Sequence, residues 1–252
     1  MTQITHAAGP AARRYLHPYG PVPAPVWYFG LDLGQRQDHS ALAILHLLWT
    51  PLGRCAATHQ YLFTPGLTVR SIERYPLNTS YEEIPRIVAA RAGQINDRHR
   101  ANNPHTNASI KLIIDAGGPG GPMVDHLRLV APDYVAITPV MITAGSGETN
   151  LSGGFSGIPR RALVTRLIQM VANGCLHCPA SLPGLNTWQA EMLSLSGCGA
   201  QSTKTGDHDD LTMAAALAAW AALGDARELA PGADQSPKSP RQTIGFVDKP
   251  LF

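Results

Sequence analysis

Cysteine is scarce in this chain, with four in 252 residues: Cys55, Cys175, Cys178 and Cys198. That is too few for a disulfide scaffold at this size, and a reducing compartment is the expected setting. No run of about eighteen apolar residues occurs, which argues against a membrane-spanning helix. The opening stretch "MTQITHAAGPAARRYLHPYGPVPAP" lacks the apolar centre of a secretory signal. Net charge is also in short supply. The formal value of +2 is too small to identify a partner. Lysine is rare, four against sixteen arginines. Arginine is the better fork for phosphate, but GC-rich coding produces the same bias. A phosphate-binding loop of the form G-x-x-x-x-G-K-[ST] is missing as well. "GGPGGPMV" and "GSGETN" supply glycines without the lysine.

What is present suits one α/β domain. Apolar residues make up 44% of the chain, enough for a sizeable core. Residues 1–25, rich in Ala, Pro and Gly, are expected to form a flexible arm, and 226–252 a flexible tail. The folded part is expected over 26–225. Apolar runs predict strands at 26–33, 40–49 and 54–63, joined by short turns into an antiparallel meander. A helix is expected over 79–99, with Thr79 or Ser80 as its N-cap. "SIKLIIDAGG" (109–118) reads as a buried strand, 121–130 as a helix and 134–143 as another strand. Three further helices are expected at 158–174, 182–195 and 207–223. Strands alternating with helices after a meander predict a mixed sheet flanked by helices.

Three places carry carboxylates where packing alone would not put them. Asp32 lies in the apolar strand "FGLDL", and a buried carboxylate is costly unless it is paired. No Lys or Arg lies within that strand, so a metal ion is the expected partner. Asp115 ends the strand "KLIID", and ligands of α/β sheets gather beyond the carboxyl ends of strands. Asp209 and Asp210 open the last, Ala-rich helix, just after Asp207 and His208. Each has an ordinary explanation in turn or cap chemistry. Converging at one sheet edge, however, they would repel strongly. Divalent cations relieve such repulsion, and two ions roughly 4 Å apart form a clamp used in phosphodiester cleavage.

The segments "GLDLGQRQDHSALAIL", "KLIIDAGGPGGPMVDHLR", "GIPRRALVTRLIQMVANGCLHCP" and "GDHDDLTMAAALAAW" occur in an order that resembles the nuclease domain of phage terminase large subunits. The resemblance spans most of 26–223, and the "HDDL" helix preceded by a basic "IPRR" helix is its more specific part. It implies a ribonuclease-H-like α/β fold, an antiparallel three-strand meander plus parallel strands flanked by helices. It also implies a Mg²⁺- or Mn²⁺-dependent endonuclease that cleaves concatemeric viral DNA for packaging. By motif, Asp32, Asp115, Asp209 and Asp210 would be the catalytic and metal-binding acids, two ions being held. Asp38 would be an accessory ligand and His208 an accessory residue. Double-stranded DNA would be the substrate, with Arg160, Arg161 and Arg166 candidates for its backbone, although a solvated face explains them equally. The glycine-rich 143–157 would be a mobile loop or hairpin at the site mouth that gates DNA. Without the phosphate-binding loop, translocation would need a separate ATPase motor, with a small terminase subunit or portal as further partners. The bacterial host cytoplasm is the implied location.

Other readings stay open on the sequence. A Holliday-junction resolvase would use the same fold and metal logic. Actin-like and sugar-kinase ATPases share the "LDLG" hairpin and the "DAGG" turn but not the "HDDL" helix. A scaffold protein with a fossil site fits the retained acids poorly. "CLHCP" offers Cys175-x-x-Cys178, but zinc needs a second paired motif, so idle or buried thiols are expected. Asp125 and Glu191 are expected to be salt-bridged surface residues.

Overall fold

The computed structural model describes residues 15–17, 24–34, 38–54, 61–117, 120–151, 155–197 and 209–228. Among the described residues nine strands form one sheet: β1 (Tyr15–His17), β2 (Val26–Asp32), β3 (Ala41–Arg54), β4 (Tyr61–Arg74), β5 (Ser109–Asp115), β6 (Val135–Thr143), β7 (Thr149–Asn150), β8 (Ser156–Pro159) and β9 (Leu176–His177). Five helices accompany them among the same residues: α1 (Glu83–Asn102), α2 (Gly120–Val130), α3 (Arg160–Ala172), α4 (Leu185–Gly197) and α5 (Asp210–Glu228). The strand order is β1-β4-β3-β2-β5-β6-β8-β7, with β9 pairing β4. β2, β3 and β4 are the antiparallel meander, and β5 and β6 continue from β2 in parallel. This is the expected mixed sheet, an antiparallel meander continued by parallel strands.

The meander is longer and later than the sequence suggests. β4 runs over Tyr61–Arg74 rather than 54–63, and β3 reaches Arg54. "TPG" at 64–66 reads as a strand stop, yet Pro65 pairs with Trp49 inside the β3–β4 ladder. On its other side β4 is bridged at 61–63 by β1 and at 67–68 by β9. Pro65 falls between these contacts, so its missing N–H interrupts no outer ladder. Three residues of the expected N-terminal arm therefore form an edge strand. Helix α1 starts at Glu83 with Glu82 at its N-cap position rather than Thr79 or Ser80, although Ser80 Oγ accepts from the Glu83 N–H at 3.2 Å.

Side chains of a strand alternate between sheet faces, and the core is split accordingly. Phe29, Leu31, Leu112 and Ile114 pack with α1 and α2. Tyr28, Ala43, Leu45, Ile113 and Val140 pack with α3, α4 and α5. Helix α5 lies directly on β2. Its facing residues, Ala214, Ala215, Ala218 and Ala219, are fully buried and small. The closest approach is at Gly30, where a Cβ would sit 1.9 Å from the Ala214 carbonyl oxygen and 2.8 Å from the Ala218 nitrogen. Glycine and alanine here let helix and strand backbones touch. This contact sets how far the N-terminus of α5 stands from the end of β2.

Candidate active site

The alternation that builds the core also aims the acids. Asp32 has the parity of Tyr28 and Gly30, and Asp115 that of Ile113. Both therefore project onto the α5 face of the sheet, at the carboxyl ends of adjacent strands. Helix α5 brings Asp210 to the same region from above. Asp32 is half-buried. Its carboxyl is pushed up from 3.8 to about 8, first by burial, then by the negative charges of Asp115 and Asp210, with a smaller push from Asp38. Arg160 pulls the other way. The sequence argument that Asp32 has no protein cation to face is thus corrected. None lies in its own strand, but α3 delivers one from across the fold.

Asp115, Asp209 and Asp210 each have partners in this conformation. Asp115 Oδ1 accepts from the N–H of Gly117 at 3.0 Å and of Ile142 at 3.3 Å. These bonds orient its carboxylate. Asp209 forms an ion pair with Arg160, the first residue of α3. Asp210 is buried, and Arg74 Nε lies 3.5 Å from its Oδ2. Asp38 is exposed on the β2–β3 turn. Gly34 and Asp38 approach closely: a Cβ on Gly34 would meet the Asp38 carbonyl oxygen at 2.2 Å. Gly34 is tied down by its N–H, which donates to Ser40 Oγ at 3.1 Å, and by the Tyr81 hydroxyl, which donates to the Gly34 carbonyl at 2.8 Å. His208 lies outside the described residues.

The donor set is all oxygen, the preference of Mg²⁺ and Mn²⁺. Burial is the larger part of the upward push on Asp32, and the charges of Asp115 and Asp210 add a part that a cation would relieve. Among the described residues, though, no three His, Cys, Asp or Glu side chains are drawn together tightly enough to hold an ion. The partners explain why. Asp209 and Asp210 are turned to arginines and Asp115 to backbone amides. The acids share one sheet edge and one electrostatic field.

The three candidate DNA-binding arginines diverge. Arg160 is engaged with Asp209, and Arg166 with Glu148 at 2.6 Å. Arg161 is exposed. Within 143–157, β7 and β8 pair as a short antiparallel hairpin, so of the two forms expected there the hairpin is present. Glu148 at its base also accepts from Trp220 Nε1 of α5 at 3.2 Å.

The sequence reading missed three elements of the site. Gly30 was visible only as a letter in "GLDLG", with nothing to mark the backbone contact behind it. Arg74 ends a strand whose limits were misplaced. Glu191 is salt-bridged as expected, but it is buried rather than at the surface, and burial raises its carboxyl. Asp125 is exposed and paired with Arg128 at 3.3 Å, as expected. Cys175 is exposed and Cys178 buried; burial raises the Cys178 thiol to about 11, well away from thiolate chemistry. No helix among the described residues is long and apolar enough to cross a membrane.

No family model matches the chain, and no curated protein matches it by sequence. Among solved structures it is similar to the Mn-soaked terminase nuclease domain of human cytomegalovirus. That match has 12% identity and a TM-score of 0.42, and it covers 77% of this chain and 83% of the other. It is likewise similar to the nuclease domain of the large terminase g2p from bacteriophage SPP1 with bound Mn, at 12% identity and a TM-score of 0.38, covering 76% and 84%.

Proposed function

We propose that this protein is a divalent-metal-dependent DNA endonuclease of the terminase large-subunit type. One observation carries the reading. Acids from two adjacent strand ends and one helix start share a sheet edge, where burial first, and then the negative charges of Asp115 and Asp210, raise the Asp32 carboxyl to about 8. A structural role gives no reason to gather like charges on a half-buried edge. The order of motifs along the sequence supplies the terminase type.

In this reading Asp32, Asp115 and Asp210 hold the ions, with Asp209 and Asp38 at the margin. Two bound Mg²⁺ or Mn²⁺ ions would activate water and stabilise the charge that develops at the scissile phosphate. The chain's own contribution is placement. The Gly117 and Ile142 amides fix the Asp115 carboxylate, the α5–β2 contact at Gly30 fixes the height of Asp210, and the β2–β3 turn presents Asp38. Arg161 faces solvent beside the site and is available to a DNA backbone. Arg160 and Arg166 join it when their acids turn to metal or DNA. The 143–157 hairpin gates duplex entry, and deletion of 146–154 should then change cleavage of duplex DNA. The substrate is double-stranded viral DNA in a bacterial cytoplasm, with an ATPase motor, small subunit or portal acting alongside.

Plasmid nicking in Mn²⁺ tests the reading. The wild-type protein should nick, and Asp32→Ala and Asp210→Ala should each abolish nicking. Activity that survives both substitutions refutes the proposal. A four-way junction compared with linear duplex in the same assay separates a resolvase preference from a terminase one.

A further inference from the structure

A buried ionic network stands directly behind Asp210. Arg74, the last residue of β4, forms an ion pair with Glu191 of α4. The same guanidinium reaches Asp210 Oδ2 through Nε at 3.5 Å. The second oxygen of Glu191 accepts from the Thr212 N–H at 2.9 Å and from the Thr212 hydroxyl at 3.1 Å. Thr212 lies in the first turn of α5, where backbone N–H groups have no partner within the helix. Glu191 therefore caps α5 from another helix, beside Asp210, whose charge acts on Asp32. The side chains of Glu191 and Asp210 are 5% and 10% exposed, and that of Arg74 23%.

Sheet register connects this network to the candidate site. Asp32 pairs with Ala41, and Ala41 pairs with Arg74. The three residues form one row across β2, β3 and β4, on the face that carries α5. At roughly 4.8 Å per strand, Arg74 starts about 10 Å from Asp32. A buried charge network costs desolvation and is weak support for stability by itself. Its place gives it another use: one end is anchored in the same row as Asp32, and the other fixes the start of the helix that bears Asp210.

We propose that Arg74 and Glu191 are positioning residues for the Asp210 carboxylate. Glu191 fixes the first turn of α5 through Thr212. Arg74 pairs with one carboxylate oxygen of Asp210 through Nε, and would keep that carboxylate where it could take part in binding a cation. This rests on the nuclease reading of the site and goes beyond it by assigning two residues that touch neither substrate nor ion. Such outer partners of metal-ligating carboxylates, when removed, typically cost 10–100-fold in affinity or activity.

The test is Mn²⁺ binding to the DNA-free full chain by calorimetry, with circular dichroism to confirm the fold. The variants are Arg74→Met, Glu191→Leu, Glu191→Gln and, as reference, Asp210→Asn. Arg74→Met and Glu191→Leu should each weaken Mn²⁺ binding about 10–100-fold. Glu191→Gln should fall between wild type and Glu191→Leu, because its amide oxygen still accepts from Thr212. A merely structural glutamate would not produce that graded rescue in ion affinity. If Arg74→Met or Glu191→Leu does not fold, Glu191→Gln decides, and an affinity within twofold of wild type overturns the proposal. Tighter Mn²⁺ binding by Arg74→Met also overturns it, since Arg74 would then compete with the ion. Unchanged binding in Asp210→Asn overturns the nuclease reading of the site itself. Loss in Asp210→Asn with wild-type binding in the other three overturns only the positioning roles.

Discussion

Replacing Asp32 by Asn should stabilise the metal-free protein while destroying its activity. The folded state raises the Asp32 carboxyl from 3.8 to about 8. Between those values the folded chain holds a proton that the unfolded chain has released. Stability from this group is therefore fully present below about pH 4, falls as pH rises, and is lost above about pH 8. At pH 7 the loss spans 3.8 to 7, which at about 1.36 kcal/mol per pH unit sets a ceiling on the order of 4 kcal/mol. Asparagine keeps the shape and carries no charge to desolvate. With about 2–4 °C in Tm per kcal/mol at this size, Asp32→Asn should raise the melting temperature at pH 7 by up to roughly 10 °C in EDTA. The assay is thermal denaturation of both proteins from pH 4 to 8. The difference between them is the quantity to read, because other titrations then cancel. It should grow with pH and approach zero near pH 4. Mn²⁺ should raise the Tm of the wild type and narrow the gap. A variant less stable than wild type at pH 7, or a gap independent of pH, would refute the electrostatic reasoning.

Two further outcomes follow from the packing. Gly30→Ala puts a methyl group 1.9 Å from the Ala214 carbonyl oxygen, so α5 must lift from β2. Chemical denaturation should show a loss of about 1–3 kcal/mol or more, and nicking should fall with it; a neutral Gly30→Ala would mean the helix has slack at this contact. His46 is buried and stacks on Trp27 with ring centroids 3.9 Å apart, and burial lowers it from 6.5 to about 4, with Arg70 adding to the effect. The unfolded chain takes up that proton first, so stability from this group is lost as pH falls from about 6.5 to 4. His46→Phe should flatten that acid limb by on the order of 3 kcal/mol, and an unchanged limb in its pH-dependent melting would assign the acid sensitivity elsewhere.

Much of the architecture was legible in the sequence, for identifiable reasons. The continuous apolar runs in "YFGLD" and "KLIID" mark strands buried on both faces and put Asp32 and Asp115 at their ends. The acidic start of the Ala-rich run marks a helix N-terminus beside them. The meander was legible in kind but not in extent, because Pro65 and Gly66 look like a stop. Only the positions of β1 and β9 show that the proline sits where no outer partner is needed. Long-range pairing was beyond reach. Nothing in "RYP" or "QAEML" says that Arg74 and Glu191 meet behind Asp210, since α4 and β4 are brought together by the tertiary fold alone. Arg160 likewise reads as a basic helix start and turns out to face Asp209 and to influence Asp32. Periodicity reports which face a residue occupies. It carries no information on which distant charge shares that face.

The central claim is that the acids at the ends of β2 and β5 and at the start of α5 hold divalent ions. Diffraction from crystals soaked in Mn²⁺, with data collected at the manganese absorption edge, tests it most directly. The account predicts anomalous density bounded by the carboxylates of Asp32, Asp115 and Asp210, with Asp210 turned toward the ion, and no such density in Asp32→Asn. Mn²⁺ bound only elsewhere, or an Asp32 edge that stays empty at saturating Mn²⁺, would contradict it.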